Sequence, residues 1–379
     1  MKPVYLDCNS TTPLEEEVML EMRQYLSYEF GNAGSRTHEM GTSAAKAVNE
    51  SRRKIADLLK AESSDILFTS GATESNNLSI LGMEKFGLEQ NKKHIISSPA
   101  EHKATLEPLE RLQEQGFTVD YLQVDDTGRV NLDELKEKIS DQTLLISLIH
   151  ANNETGVLNP ISEIADYLRE SKSGAYFHVD AAQSFGKEIE SLQNPRIDMM
   201  SMSAHKIFGP KGIGALLLRS RNYEKPPLVP LMIGGGQERG LRPGTLAVPL
   251  IAGFGKAAEL SLRDHSERQS KCSAFRDKAL KAFSSIGGIV NGDKENTLCH
   301  TLNVSIPGIN SEAAMIVLKD IVYISNGSAC TSSDYQLSHV LKSMNLPEKR
   351  IEEAIRISWC HLTEEVNWEE VVDKLSSLK

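Results

Sequence analysis

Lys206 closes an apolar run after three small or polar residues, in Met200-Ser-Met-Ser-Ala-His-Lys206. Twenty-six positions earlier, Phe177-His-Val-Asp180 ends a second apolar run in a carboxylate. A lysine and an acid at matching strand ends are what pyridoxal phosphate needs. The amine holds the aldehyde as a Schiff base, and the acid keeps the pyridinium nitrogen protonated. Lys206 also has a bland reading as a surface lysine opening the Gly-Pro-Lys-Gly turn. Lys211, flanked by Pro and Gly, fits that description better.

Other residue groups carry chemistry only in company. Ser70-Gly-Ala-Thr73-Glu-Ser75 joins a strand to a helix, where small residues and free N–H groups suit an anion; the alternative is an ordinary capped helix start. His102, after a Ser-Pro turn, can stack on an aromatic cofactor and pass protons, or simply face solvent. Gly234–Thr245 is a Gly-rich stretch with Arg239 and Arg242, either a phosphate cradle or a connector. Cys330 stands in Ser325-Asn-Gly-Ser-Ala-Cys-Thr-Ser-Ser333 with no apolar neighbours, a setting in which a thiolate reaches a substrate. Cys8, Cys299 and Cys360 lie in or beside apolar stretches and read as structural. Arg356, in Ile355-Arg-Ile-Ser-Trp359, needs a carboxylate partner, from either a structural ion pair or a substrate.

The elements that must position these residues alternate. Apolar runs at 65–69, 94–98, 118–122, 144–149, 175–179, 198–202 and 214–218 read as strands. Helical patterns at 73–86, 104–115, 132–139 and 161–170 separate the first five. Such alternation predicts a mostly parallel sheet covered on both faces, with ligands beyond the carboxyl ends of its strands. Residues 70–74, 100–103, 151–156, 180–183 and 203–206 fall there. A long helical stretch over 248–285 leads to strands at 301–306 and 321–324 and helices at 311–319, 334–343 and 364–378. The expected division is a large domain over 15–258 and a smaller α/β domain from 1–14 and 259–379.

Composition excludes more than it selects. The net charge of −10 argues against direct nucleic-acid binding and against anionic membrane. No apolar run approaches a membrane span, and the N-terminus lacks a signal peptide's apolar core. Five scattered cysteines without CxxC spacing suit reduced thiols in the cytoplasm.

Taken together, the chain resembles cysteine desulfurases of the NifS/IscS type, in the class-V aminotransferase family of fold type I pyridoxal phosphate enzymes. The resemblance runs from Tyr5-Leu-Asp-Cys-Asn-Ser-Thr-Thr-Pro13 to about Thr363. It rests on Thr69-Ser-Gly-Ala-Thr-Glu-Ser75, Glu101-His-Lys103, Asn152-Asn-Glu154, His178-Val-Asp180 with Gln183, Ser203-Ala-His-Lys206, Arg242-Pro-Gly-Thr245 and Gly327-Ser-Ala-Cys-Thr-Ser332. It implies an aspartate-aminotransferase-like α/β fold with a seven-stranded sheet, and pyridoxal 5'-phosphate held by Lys206. Asp180 would meet the ring nitrogen, Gln183 the phenolic oxygen, and His102 would stack on the ring. Ala72, Thr73, Ser203 and His205 would hold the phosphate, with Thr245 reaching the phosphate of the other subunit of a homodimer. Asn153, Asn32 and Arg356 would orient L-cysteine. Cys330 would take its sulfur as a persulfide, releasing L-alanine, and pass it to an acceptor protein: an iron–sulfur scaffold, or a tRNA- or DNA-thiolation protein.

This sequence departs from the family at several places. Cys8 and Ser10 stand for the usual Asn and Ala, Ala33-Gly34 for Pro-Ser or Pro-Ala, and Gln237 for His. Cys360-His361 replaces Gly-Arg. The resemblance also ends without the longer tail that many members use to dock an iron–sulfur scaffold, so a member dedicated to a thiolation pathway is expected. The rival readings are a selenocysteine lyase or another fold type I lyase or aminotransferase, and a non-catalytic regulator or assembly partner on the same fold.

Overall fold

The computed structural model of the chain describes residues 2–326 and 337–379; Cys330 lies outside the described residues. Seven apolar runs form one sheet: β1 (Ile66–Thr69), β2 (His94–Ser97), β3 (Thr118–Tyr121), β4 (Thr143–Ile149), β5 (Tyr176–Asp180), β6 (Met199–Ser203) and β7 (Gly214–Leu218). Their spatial order is β1-β7-β6-β5-β4-β2-β3. Strands β2 to β6 run parallel, and β7 lies antiparallel between β1 and β6. All seven residues of β4 are buried, as expected of a parallel strand covered on both faces.

The covering helices include Ala72–Leu81, Lys103–Glu114, Leu132–Lys138 and Ile161–Glu170. Two of them start where a side chain satisfies free N–H groups. Asn131 Oδ1 accepts from the N–H groups of Asp133 and Glu134 at 2.9 and 3.1 Å, and His102 Nδ1 accepts from that of Ala104 at 3.0 Å.

Two helices near the N-terminus, Glu16–Ser27 and Glu39–Leu58, pack on the helix Val248–Arg263. Their approach is close. A Cβ at Gly255 would lie 2.6 Å from Ser51 Cα, so only glycine fits there. The stretch read as one helix over 248–285 is two, since Asp264 (φ −105°, ψ 12°) separates Val248–Arg263 from His265–Ser285.

A second sheet of β8 (Ile289–Val290), β9 (Thr301–Ser305) and β10 (Ala354–Ser358) is antiparallel in the order β10-β9-β8. Beside it, Val4–Tyr5 pairs in parallel with Val322–Tyr323. This part has its own apolar core, which joins Leu6 to Phe275, Phe283, Leu302, Ile355, Ile357 and Trp359. The N-terminal strand thus returns residues 7–12 to the ends of the large sheet.

Candidate active site

Strand ends converge on a cleft of about 540 Å³ lined by Ser10, Thr73, His102, Asn153, Asp180, Gln183, Ser203, His205 and Lys206, among others. Asp180 is the last residue of β5 and is buried. Its Oδ2 accepts from Asn76 Nδ2 at 2.7 Å and its Oδ1 from the Ala182 N–H at 2.9 Å. These two bonds fix the carboxylate plane.

Lys206 ends the short turn Ala204–Lys206 that follows β6. Its Nζ donates to the carbonyls of Asn9 and Ser10, the latter at 3.0 Å. The turn is pinned to the N-terminal segment: the Thr12 N–H donates to the His205 carbonyl at 3.1 Å, and Thr12 Oγ1 accepts from the Phe208 N–H at 2.9 Å. Phe208 sits at φ 68°, a left-handed conformation costly for a bulky residue and tolerated where surrounding bonds over-determine it.

His102 caps the helix Lys103–Glu114. Because Nδ1 accepts the Ala104 N–H, the neutral ring carries its proton on Nε2. Burial pulls its pKa below the usual histidine value, an effect that Asp180 opposes and Lys206 reinforces. The neighbouring Glu101 is fully buried and pushed well up by desolvation. It accepts the Ile149 N–H at 2.9 Å and serves the sheet. His205 is lowered to about 4 by burial, with Lys206 adding to it, and its Nδ1 meets Thr11 Oγ1 at 3.1 Å.

The start of the helix Ala72–Leu81 forms the floor beside Ser203. Here β7 passes so close that a Cβ on Gly214 would lie 2.5 Å from the Met202 carbonyl oxygen and 2.6 Å from Gly71 Cα. The unpaired N–H groups of the first turn point out of the helix end, next to the Thr73 and Ser203 hydroxyls.

Arg356, on β10, is almost wholly buried. Its Nη2 donates to Asp7 Oδ1 at 2.6 Å and Ser10 Oγ at 2.9 Å, and its Nη1 to the Asn153 carbonyl at 3.0 Å. Nε has no partner. The arginine thus has a structural carboxylate and a buried Nε without a partner.

Not every predicted residue meets the others. Thr245 and Asn32 are exposed and outside the cleft lining. The Gly-rich stretch is tied elsewhere, since Glu238 takes a two-pronged bond from Arg52 at 2.6 and 2.9 Å and the Phe68 N–H at 2.7 Å. Conversely, sequence reading passed over Asn76 and Asn9. Asn9 takes Gln183 Nε2 at 2.9 Å on its carbonyl and donates to Thr301 Oγ1 at 3.0 Å. A polar residue on the buried face of the helix that follows a small-residue turn was the available signal for Asn76. Lys211, read as a turn lysine, is exposed and contributes to the cleft lining.

The donor set fits pyridoxal phosphate. Asn76 Oδ1 and Gln183 Oε1 are buried acceptors without partners, which cost free energy unless a ligand covers them. They flank a buried carboxylate and a lysine, with a helix N-terminus and two hydroxyls at the other end.

The aminotransferase class-V family model matches residues 4–371. A Rickettsia bellii protein named cysteine desulfurase IscS is 43% identical over 365 residues, covering 96% of this chain and 88% of that one. A solved NifS-like protein superposes with a TM-score of 0.89 at 36% identity, over 100% of this chain and 98% of its own. SspA, solved in complex with cysteine, gives a TM-score of 0.82 at 36% identity, over 94% of this chain and 98% of its own.

Proposed function

The chain belongs to the aminotransferase class-V family, and from that premise we propose that it is a pyridoxal-phosphate-dependent cysteine desulfurase. Its fold is that of the type I enzymes of this cofactor. The observation that carries the reading is the convergence of Lys206, Asp180, His102 and Gln183 on one cleft. Pyridoxal phosphate, when bound, supplies an aldehyde for the substrate amine and an electron-withdrawing ring.

The residues of this chain then divide the work. Lys206 would hold the cofactor and afterwards carry a proton on Nζ. Asp180, kept in place by Asn76 and Ala182, would hold a proton at the ring nitrogen. His102, with its proton on Nε2, would face the ring. Gln183 would meet the phenolic oxygen. Ala72, Thr73, Ser203 and neutral His205 would receive the phosphate. Asn153 and Arg356, with Asn32, orient the substrate, and the spare Nε of Arg356 supports a role toward its carboxylate. Cys330 as thiolate takes the substrate sulfur: L-cysteine and the enzyme thiol become L-alanine and an enzyme persulfide.

The protein works as a homodimer in this reading. Phe30 and Ile233 are 72% and 97% exposed, large apolar surfaces for a partner to cover. Thr245 is free of its own cleft to complete that of the second copy. The small domain spans 1–14 and 259–379 in this reading; a second core around Leu6, Phe275 and Trp359 supports it, while Val340, Leu341 and Met344 pack into the large-sheet core. Among the described residues no helix is long and apolar enough to cross a membrane, and the proposed location is the cytoplasm. The final acceptor is a protein, of an iron–sulfur scaffold or a thiolation pathway; a transfer panel with labelled cysteine separates the two.

The test is direct. Cys330→Ala keeps the cofactor's visible absorption and loses alanine formation from L-cysteine. Alanine formation at the wild-type rate in that variant would overturn the persulfide route.

A further inference from the structure

Behind the active-site cleft, four of the five cysteines line one small cavity of about 30 Å³. They are Cys8, Cys272, Cys299 and Cys360, scattered in sequence and brought together by the fold. Two of them are Cys8 and Cys360, positions at which this sequence departs from its family resemblance. All four are free thiols; Cys8 and Cys360 pack together beside Phe208, and Cys299 Sγ donates to Gln269 Oε1 at 2.7 Å.

The size of the cavity limits what it can take. It holds a body about as large as one water molecule, which a single extra sulfur atom matches and an amino acid does not. Its charge limits the ligand further. Lys187 lines the cavity with the four thiols, and its Nζ is hydrogen-bonded to His300 Nε2 at 3.1 Å. His265 and Gln269 hold the Lys187 carbonyl at 2.9 and 2.6 Å. Burial pulls the Lys187 pKa down and the four thiols oppose that, so an anionic sulfur in this lining is favoured over a metal cation. Among the described residues no three His, Cys, Asp or Glu side chains are placed to hold a metal ion.

Of the packed pair, Cys360 is the reactive member. Its Sγ accepts from Thr363 Oγ1 at 3.6 Å, and its contact with Cys8 pulls its pKa below the usual thiol value. Cys8, buried beside it, is pushed up. Access comes from a surface cleft of about 280 Å³ that shares Arg268 and His361 with the cavity. Glu15 lies between those two residues, its Oε1 2.8 Å from Arg268 Nη2 and 2.9 Å from His361 Nε2, and its Oε2 accepts from Arg268 Nη2 at 3.0 Å.

We propose that this chamber is a second sulfur-handling site, in which Cys360 accepts a sulfane sulfur and Cys8 resolves it. In the first step the Cys360 thiolate attacks the terminal sulfur of a hydropersulfide R–S–S–H. The S–S bond breaks with its electron pair going to R–S⁻, and Cys360–S–S–H forms. In the second step the Cys8 thiol attacks the inner sulfur. A Cys8–Cys360 disulfide forms and H₂S leaves, so the sulfane sulfur is reduced to sulfide and the two thiols are oxidised. The desulfurase reading enters only as one source of R–S–S–H; inorganic polysulfide is another.

The experiment uses reduced, full-length holoenzyme exposed separately to inorganic polysulfide and to L-cysteine, then alkylated, digested and weighed by mass spectrometry. With polysulfide, the wild type yields the Cys8–Cys360 disulfide with released sulfide. Cys8→Ser instead retains one added sulfur atom on Cys360, and Cys360→Ser loses both products. Wild-type protein in which Cys8 and Cys360 stay thiols under polysulfide while Cys330 gains sulfur overturns the proposal and needs no variant. If polysulfide loads Cys360 while L-cysteine gives no alanine, the chamber stands and the desulfurase reading falls.

Discussion

The cleft and the thiol chamber share the N-terminal segment: Ser10 and Thr11 line the first, Cys8 and Thr12 the second. They differ in what their buried groups lack. The cleft holds amide oxygens with no partner, at Asn76 and Gln183, together with a carboxylate and a lysine already oriented by the backbone. That is an arrangement waiting for a large polar ligand. The chamber is small and lined by thiols, and its lysine is already bonded to His300. One site is organised around a missing molecule, the other around a missing atom. Orphaned acceptors mark the first kind of site, and paired soft nucleophiles beside a cation mark the second.

The largest effect that sharpens this contrast is Lys206→Ala. Turnover of L-cysteine falls by about a thousandfold or more, and the visible absorption of the bound cofactor disappears. Loading of Cys360 by polysulfide continues at the wild-type rate. Loss of both reactions together, in protein whose circular dichroism is native, would mean that the two regions act as one.

Gly214→Ala has the next effect. The added Cβ meets the Met202 carbonyl and Gly71 Cα, and overpacking of this kind costs about 1–3 kcal/mol. The strain falls at the helix end expected to hold the phosphate. Cofactor affinity, measured by dialysis or fluorescence titration, drops about tenfold or more, and thiol chemistry in the chamber is unchanged. Asn76→Ala is expected to cost about 1–3 kcal/mol by leaving Asp180 Oδ2 unpaired, read as a lower urea midpoint and weaker cofactor binding.

Acid separates the regions more gently. Beneath the cleft, burial holds His178 down to about 3 and His150 to about 4; in the chamber, burial and then Lys187 hold His300 well below its usual value. The unfolded chain binds these protons below about pH 6.5, and the folded chain resists them until near its own lower values. Their contribution is therefore complete above about pH 6.5 and lost as the pH falls toward 4, by up to about 1.4 kcal/mol per pH unit for each proton. His178→Gln and His300→Gln each flatten that slope in urea titrations at stepped pH. Equal steepness in either variant and the wild type would remove that histidine from the account.

The smallest effect belongs to Cys272→Ser. It leaves Cys360 loading intact and costs about 1 kcal/mol of stability, the low end for burying a hydroxyl, because Cys272 sits near the edge of its core at 7% exposure.

Much of this was legible before any coordinates. The large sheet's strands are continuous apolar runs, and their ends carry Lys206, Asp180 and His102, so pattern alone predicted which residues would meet. The N-terminal helices were not legible, for a physical reason. Glu16–Ser27 leaves Met19, Leu20 and Leu26 exposed, which spreads its apolar residues around the helix. Glu39–Leu58 buries Gly41, Ala44, Ala47 and Ser51 over its first turns, residues too small to mark an apolar stripe, with the larger Val48, Ile55 and Leu58 placed later. The break at Asp264 has no glycine or proline to announce it. Arg356 plainly needed a carboxylate, yet its partner Asp7 lies 349 positions away, and no local pattern names such a pair. The four cysteines escaped notice likewise: spacing rules see only neighbours in sequence, and these are neighbours only in space.

The reach of Asn9 has a consequence for biosynthesis. Its N–H donates to Ser358 Oγ, 349 residues downstream, and its side chain spans 292 residues to Thr301. Asn9 also supplies carbonyl bonds to Lys206 and Gln183. The large sheet can form early in translation, but the segment that steadies its lysine has nothing to dock against until β9 and β10 leave the ribosome. Domains generally fold as units, in the order in which they are made, and here the first residues synthesised are among the last placed. A nascent chain halted before Arg356 should therefore carry a nearly finished sheet and an unfinished cleft, which makes cofactor capture an event of the released protein.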